Sequence, residues 1–318
     1  MIYLHVARAC ARAAVACVSI GLGSTPASTA QPIALAPNWS KGDRVQLEIS
    51  KSRSRTEPGK EPVAMEATGS IEVEVLETGP EGHVLRWTYG ETHFPPQALQ
   101  GNPLLARLEN LAQGRHIELV LDADVNVTRV RNFEEIQAAM SKVFDAVRDE
   151  LVADGAPGDV EGVLNQLRPV YATEEAVRTH VVRLAPIYLF PLGRSLVPGE
   201  TVSYEDVLAN PFGGEPLPCV GSIRVESVES GVAKLTWTQE VDGERARAML
   251  QDMAKRVEAA GAPKGSMDSV KLFELTDRGD YVIDLRSGWV EQMTHVRTTA
   301  AGPGSEQIEK TKIQRKRS

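Results

Sequence analysis

The sequence predicts an α+β protein: a largely antiparallel, curved β-sheet, or sheets, from two pseudo-repeats, with helices packed on one side. Three observations carry this. Apolar and polar residues alternate with period two in Val45-Leu47-Ile49, Ile71-Val73-Val75, Leu85-Trp87-Tyr89 and Ile117-Leu119-Leu121, the signature of strands with one buried face. Short turn signals such as Thr78-Gly79-Pro80-Glu81-Gly82, Ser230-Gly231 and Ser287-Gly288 join such runs and favour antiparallel hairpins. Third, the chain repeats itself. Gly69-Ser70-Ile71-Glu72-Val73 returns as Gly221-Ser222-Ile223-Arg224-Val225, and Leu85-Arg86-Trp87-Thr88 as Leu235-Thr236-Trp237-Thr238. Gly42-Asp43-Arg44-Val45 pairs with Gly199-Glu200-Thr201-Val202, and Leu121-Asp122 with Ile283-Asp284. Matches in a fixed order at a nearly constant spacing mark a duplicated unit.

The elements follow in order. Residues 1–30 read as a secretory signal peptide. Arg8 and Arg12 supply positive charge, Ala13 to Leu22 is uncharged and mostly apolar, and Ser28-Thr29-Ala30 offers small residues before a cut after Ala30. The apolar run is shorter than the ~20 residues a bilayer span needs, so the mature chain is expected to carry no transmembrane segment. Ala14-Val15-Ala16-Cys17 loosely resembles a lipoprotein box, but the usual Leu is missing and Arg12 interrupts the run. Lipid anchoring at Cys17 is therefore not expected.

Residues 31–131 form the first β-rich half. Asn102 and Pro103 open a helix with Leu104, Leu105, Leu108 and Leu111 on one face, and Gly114 follows its end. Residues 132–198 form a helical insert and linker. Asn132 with Glu135 reads as a capping box, and Ile136, Met140, Val143, Phe144, Val147 and Leu151 make a stripe. Asp154 to Gly158 breaks it. A second helix spans about Asp159 to Leu167, a third begins near Thr173 and stops before Pro186, and Pro186 to Pro198 is a linker. Residues 199–318 form the second half, with a helix from about Glu244 to Ala260 and a last segment, Gln307 to Arg315, able to add a strand.

Composition narrows the partners. The chain has 318 residues, a net charge of −8 and 5% aromatic residues. The export segment holds two arginines and no acid, so the remainder is more negative still. An acidic, aromatic-poor protein repels phosphate backbones, so nucleic acid is not an expected partner.

No catalytic, metal or cofactor constellation stands out. Asp122-Ala123-Asp124-Val125-Asn126 begins like a calcium loop, but Val127 and Phe133 stand where Gly and Glu are needed, and a polar hairpin turn fits better. His83, His93, His116, His180 and His295 show no zinc spacing. Gly193-Arg194-Ser195-Leu196-Val197 lacks the second Gly of a nucleophile elbow. Cys219, the one cysteine after residue 30, reads as a buried thiol. Lys310, Lys312, Arg315, Lys316 and Arg317 form a basic patch, read as a solvated terminus.

The paired starts at Gly42 to Val45 and Gly199 to Val202, with the run ending at Asn132 to Ile136, resemble uncharacterised exported bacterial proteins of two strand-rich halves. In architecture the plan is similar to the lipoprotein-carrier fold of LolA and LolB, which implies a curved sheet around a greasy cavity under helices. The expectation is an exported, periplasmic or secreted, non-enzymatic module holding an apolar ligand or a lipoprotein or peptide segment in a concave sheet, with no cofactor. The alternatives are a structural or interaction module with an envelope protein as partner, and a hydrolase of unknown class.

Overall fold

The computed structural model describes residues 31–99, 113–153, 160–208, 216–243, 273–301 and 304–316, with single positions at 248, 251 and 255. Residues 1–30, the helix expected after Asn102, the 154–158 break and most of the helix expected over 244–260 lie outside the described residues.

Thirteen strands are described: β1 (Ile33–Ala34), β2 (Arg44–Thr56), β3 (Val63–Gly79), β4 (Gly82–His93), β5 (His116–Leu121), β6 (Val127–Val130), β7 (Ser195–Leu196), β8 (Thr201–Leu208), β9 (Leu217–Glu229), β10 (Val232–Val241), β11 (Phe273–Asp284), β12 (Trp289–Ala301) and β13 (Glu306–Arg315). Helical segments are α1 (Pro96–Leu99), α2 (Phe133–Ala153), α3 (Val160–Leu167), α4 (Glu174–Ala176), which continues as a π turn over Val177–Val181, and α5 (Leu184–Leu189). Eleven strands form one antiparallel sheet in the order β6-β5-β4-β3-β2-β13-β12-β11-β10-β9-β8, and β1 pairs with β7 in a separate ribbon.

The period-two pattern becomes burial. Along β2, Val45, Leu47 and Ile49 are buried between exposed neighbours. Ile71, Val73 and Val75 on β3, and Ala233, Leu235 and Trp237 on β10, are likewise buried between more accessible neighbours. These residues share one core cluster with Val177, Val182, Ala185, Tyr188, Leu189 and Leu192 of the insert. Strand faces and insert thus exclude water from each other, the main source of stability in a chain whose single described cysteine, Cys219, is free.

The opposite face of the first half is polar and cross-linked. Arg86 and Arg131 both grip Glu118, and Arg44 reaches Glu74. Glu118 is desolvated, but its bonds from Arg86 and Arg131 outweigh that and hold its carboxyl below the usual range.

The two ends of the sheet differ. Tight turns join β3 to β4, β9 to β10 and β11 to β12 at one end, where β1 and β7 also lie. There Trp39 stacks on Trp289 at 4.6 Å and meets His83 edge-on at 5.1 Å. Burial lowers the pKa of His83, which keeps its imidazole neutral. Gly288 sits at φ 69° with a Cβ position only 2.5 Å from the Ala36 carbonyl oxygen, so this turn needs glycine. The longer connections lie at the other end, the mouth.

Several expectations are corrected. Asn132 does not form a capping box. Its Oδ1 accepts from the Glu118 N–H at 2.9 Å and its Nδ2 donates to the His116 carbonyl at 3.2 Å, so strand β5 takes the side chain. Pro186 does not open a linker but lies in the first turn of α5, where its missing N–H has no helical partner to lose. The basic residues Lys310, Lys312 and Arg315 are not a solvated tail. They belong to β13, which is paired on both sides by β12 and β2, and Arg315 bonds Glu291 at 2.6 Å.

Candidate functional site

The buried face of the sheet is ruled by register into rows that cross many strands. One row runs Leu235, Tyr281, Met293, Ile313, Ile49 and Gly69. The next toward the mouth runs Trp237, Gly279, His295, Thr311, Lys51 and Ala67. The third runs Gln239, Asp277, Arg297, Glu309, Arg53 and Met65. Two residues along each strand keep the same face, so one continuous surface passes from apolar to charged.

Residues of α5 and the turn after it pack onto this surface. Tyr188 packs edge-on against Trp87 at 5.9 Å and donates its hydroxyl to the Val290 carbonyl at 2.7 Å. Tyr281 donates to the Ile187 carbonyl at 2.9 Å, and Phe190 lies 4.7 Å from Trp237. These contacts pin α5 to strands of both halves.

Two cavities flank that contact. One, of about 550 Å³, lies between α2 and strands β4 and β5, with Tyr89, Ile117, Ile136, Met140, Phe144 and Leu167 in its wall. The other, of about 480 Å³, lies at the mouth between β2, β3, β12, β13 and the start of α5. They share Tyr89 and Val181 as lining residues. Burial, and then Tyr171, push the Tyr89 hydroxyl up to about 12, so it is neutral at physiological pH.

The mouth cavity carries the charge. Asp277 is 2% exposed. Its Oδ1 meets His295 Nε2 at 2.8 Å, and Arg297 holds both its oxygens, from Nε and Nη2, at 2.8 Å each. Desolvation alone would raise the carboxyl, but these partners win and keep it below its ordinary value. His295 also stacks on Trp237 at 5.8 Å. Lys51 still touches solvent, yet desolvation by the surrounding walls, and then the charge of Arg183, lower its pKa.

The other residues singled out from sequence are dispersed. Asp122 Oδ1 accepts the N–H groups of Asp124 and Asn126 at 3.0 and 2.8 Å, a local turn motif that Asp284 repeats with Arg286. His93 is exposed beside Glu91, His116 lies 4.0 Å from Glu135 in the wall of the cavity under α2, and His180 lines the mouth. Ser195 sits in β7 opposite Ala34. Cys219 is buried, and Gln239 Nε2 donates to its Sγ at 2.6 Å. Burial raises the Cys219 thiol pKa. Among the described residues no group of three or more His, Cys, Asp or Glu is placed to hold a metal ion, and no helix is long and apolar enough to cross a membrane.

No family model and no curated protein matches the chain. Among solved structures it is similar to one described as lipid–protein interactions in lipovitellin, at 10% identity and a TM-score of 0.45 over 87% of this chain. The chain spans about a quarter of that one, 25%. It is also similar to Rv2717c from M. tuberculosis, at 10% identity and a TM-score of 0.24, covering 85% of this chain and 91% of that one. DynF from the dynemicin biosynthesis pathway of Micromonospora chersina follows at 6% identity and 0.20, covering 93% and 92%.

The sequence reading missed Lys51, Arg183, Asp277 and Arg297. A signal for three of them was present. Apolar alternation on β2, β11 and β12 continues into Lys51-Arg53, Asp277 and His295-Arg297 without changing face. Charge on the buried face of several neighbouring strands marks a site.

Proposed function

We propose that this protein is an exported binding module that holds an apolar ligand between the sheet and its helical insert. The observation that carries this is the solvent-accessible cavity of about 550 Å³ between α2 and strands β4 and β5, called the α2 chamber, walled by Tyr89, Ile117, Ile136, Met140 and Phe144, beside a second cavity sharing part of its lining. Chambers of several hundred Å³ with mainly apolar walls are the dimensions of small-molecule sites. Work outside the cytoplasm is supported by the export features of residues 1–30.

The two-unit plan belongs to the same proposal. Its support is that β2 to β6 and β8 to β12 each form a five-strand meander in the same order, with Trp87 and Trp237 on corresponding strands under one insert. A duplicated half-sheet provides a face wide enough for an insert to cover with room to spare.

The test uses a neutral apolar dye, Nile red, with the purified protein. Saturable binding near one equivalent is expected, and Ala139→Trp, which projects bulk into the α2 chamber, abolishes it while the fold persists by circular dichroism. Absence of saturable binding to the unaltered protein overturns the reading.

A second reading, an acyl hydrolase, is favoured by one observation: His295 bonds Asp277 and has Thr311 as its cross-strand neighbour on the mouth wall. Against it, Arg297 already holds both Asp277 oxygens, and His295 is stacked on Trp237 and 6% exposed. Turnover of p-nitrophenyl laurate that disappears in His295→Gln would favour the hydrolase.

A further inference from the structure

Resting on the cavity reading, we infer that the ligand is an anionic amphiphile, with its acyl chain in the α2 chamber and a carboxylate or phosphate head at Lys51, Arg183 and Arg297. The third row is self-neutralising: Asp277 is held by Arg297, and Glu309 lies 3.8 Å from Arg53. Lys51 and Arg183 are different. Both line the mouth cavity, and among the described residues neither has an ion pair. Arg183 works against the charge on Lys51 through the same space. Glu66 and Glu309 also line the cavity, and Glu309 is felt by Lys51, but Glu309 is already paired with Arg53 and no described carboxylate comes within ion-pair distance of either cation. By contrast, most described arginines in this chain of net charge −8 are paired.

Arg297 completes the head site. Asp277, buried behind it, takes Nε and Nη2 and fixes the guanidinium plane. This leaves Nη1 without a hydrogen-bond partner among the described residues, on a side chain that is 22% exposed. A guanidinium oriented in advance loses little entropy when it accepts an oxyanion. Polarity is also ordered in space. The charged groups Lys51, Arg183 and Arg297 line the first cavity, and the more apolar cavity adjoins it through the shared Tyr89 and Val181. A cationic amphiphile would meet Lys51 and Arg183 with like charge, and a neutral one would leave both cations uncompensated.

The experiment compares ligands with matched chains: laurate, dodecyl phosphate and methyl laurate, each displacing Nile red. Laurate or dodecyl phosphate is expected to bind at least about tenfold tighter than the ester, the scale of one charge-assisted hydrogen bond. Which of the two is tighter tells a fatty-acid carboxylate from a phospholipid-type phosphate. The double variant K51M/R183Q should lose about that factor for the anions and keep Nile red and the ester unchanged. Both positions are exposed, so the variant is expected to fold, and retained Nile red binding verifies it. Equal affinity for ester and anions, or anion binding untouched in the double variant, overturns the anionic head while leaving the cavity reading intact. Loss of all Nile red binding in the unaltered protein overturns both.

Discussion

At the scale of single residues, Asp277 is the group with most at stake. It is buried, accepts three bonds from His295 and Arg297, and has its pKa held below the ordinary 3.8. A depressed carboxylate contributes stability that is fully present above its unfolded value and is lost as pH falls through its folded value. Asp277→Asn leaves Arg297 unpaired against a buried amide and should cost roughly 3 kcal/mol. Urea unfolding at a series of pH values checks this: the difference between the unaltered protein and the variant should stay constant above about pH 4 and shrink below it. A gap that widens in acid contradicts the assignment. Cys219 offers a second expectation. Its thiol is 2% exposed, with a pKa raised first by burial. Iodoacetamide should leave it unmodified in the native protein for hours and label it rapidly in guanidinium. The burial of Cys219 was legible in the sequence from residue type. The Asp277 cluster was not, because its members are 18 and 20 residues apart and only strand register brings them together.

At the scale of elements, sequence legibility followed locality. Strands whose apolar residues alternate were readable, because period two is a local property with one structural solution. Asn132 shows where local reading fails. Its spacing to Glu135 fits a capping box, but a strand 14 to 16 residues earlier competes for the same side chain and wins. Pro186 is a similar case, since the start of α5 is set by packing of Ala185, Tyr188 and Leu189 and not by the proline. That packing makes a prediction. Tyr188 ties α5 to β12 through a buried hydroxyl, so Tyr188→Phe should cost about 1–2 kcal/mol by leaving the Val290 carbonyl unpaired. The loss would appear as a lower midpoint in thermal denaturation. Gly279 gives the converse test on the sheet itself. A Cβ there would sit 2.8 Å from Trp237 Cε3 and 2.6 Å from Tyr281 Cε2. Gly279→Ala should therefore destabilise by about 1–3 kcal/mol through overpacking, and an unchanged midpoint would show that the two rings have room to move.

For the whole molecule, the deciding element is β13. The sequence offered it as an extra strand without saying where it goes, because no local pattern encodes which edge a terminal strand will choose. It inserts between β2 and β12 and turns two meanders into one sheet. Without it, each meander would present a long unpaired edge, from Arg44 to Thr56 on one side and from Trp289 to Ala301 on the other. The two halves should therefore unfold together although the chain is larger than most two-state domains. The four tryptophans report on this. Trp39 and Trp289 lie together at the tight-turn end, Trp87 is on β4 and Trp237 on β10, all buried. In the intact protein, fluorescence and far-ultraviolet circular dichroism should give one coincident urea midpoint, and they should still coincide in Trp87→Phe and in Trp237→Phe, since either half reports the same event. Ending the chain before residue 305 removes β13 and should uncouple the signals, with two separated midpoints or with aggregation through the freed edges. Coincident single midpoints in that truncated chain would mean that the insert, through Tyr188 and Tyr281, holds the halves together without the strand between them.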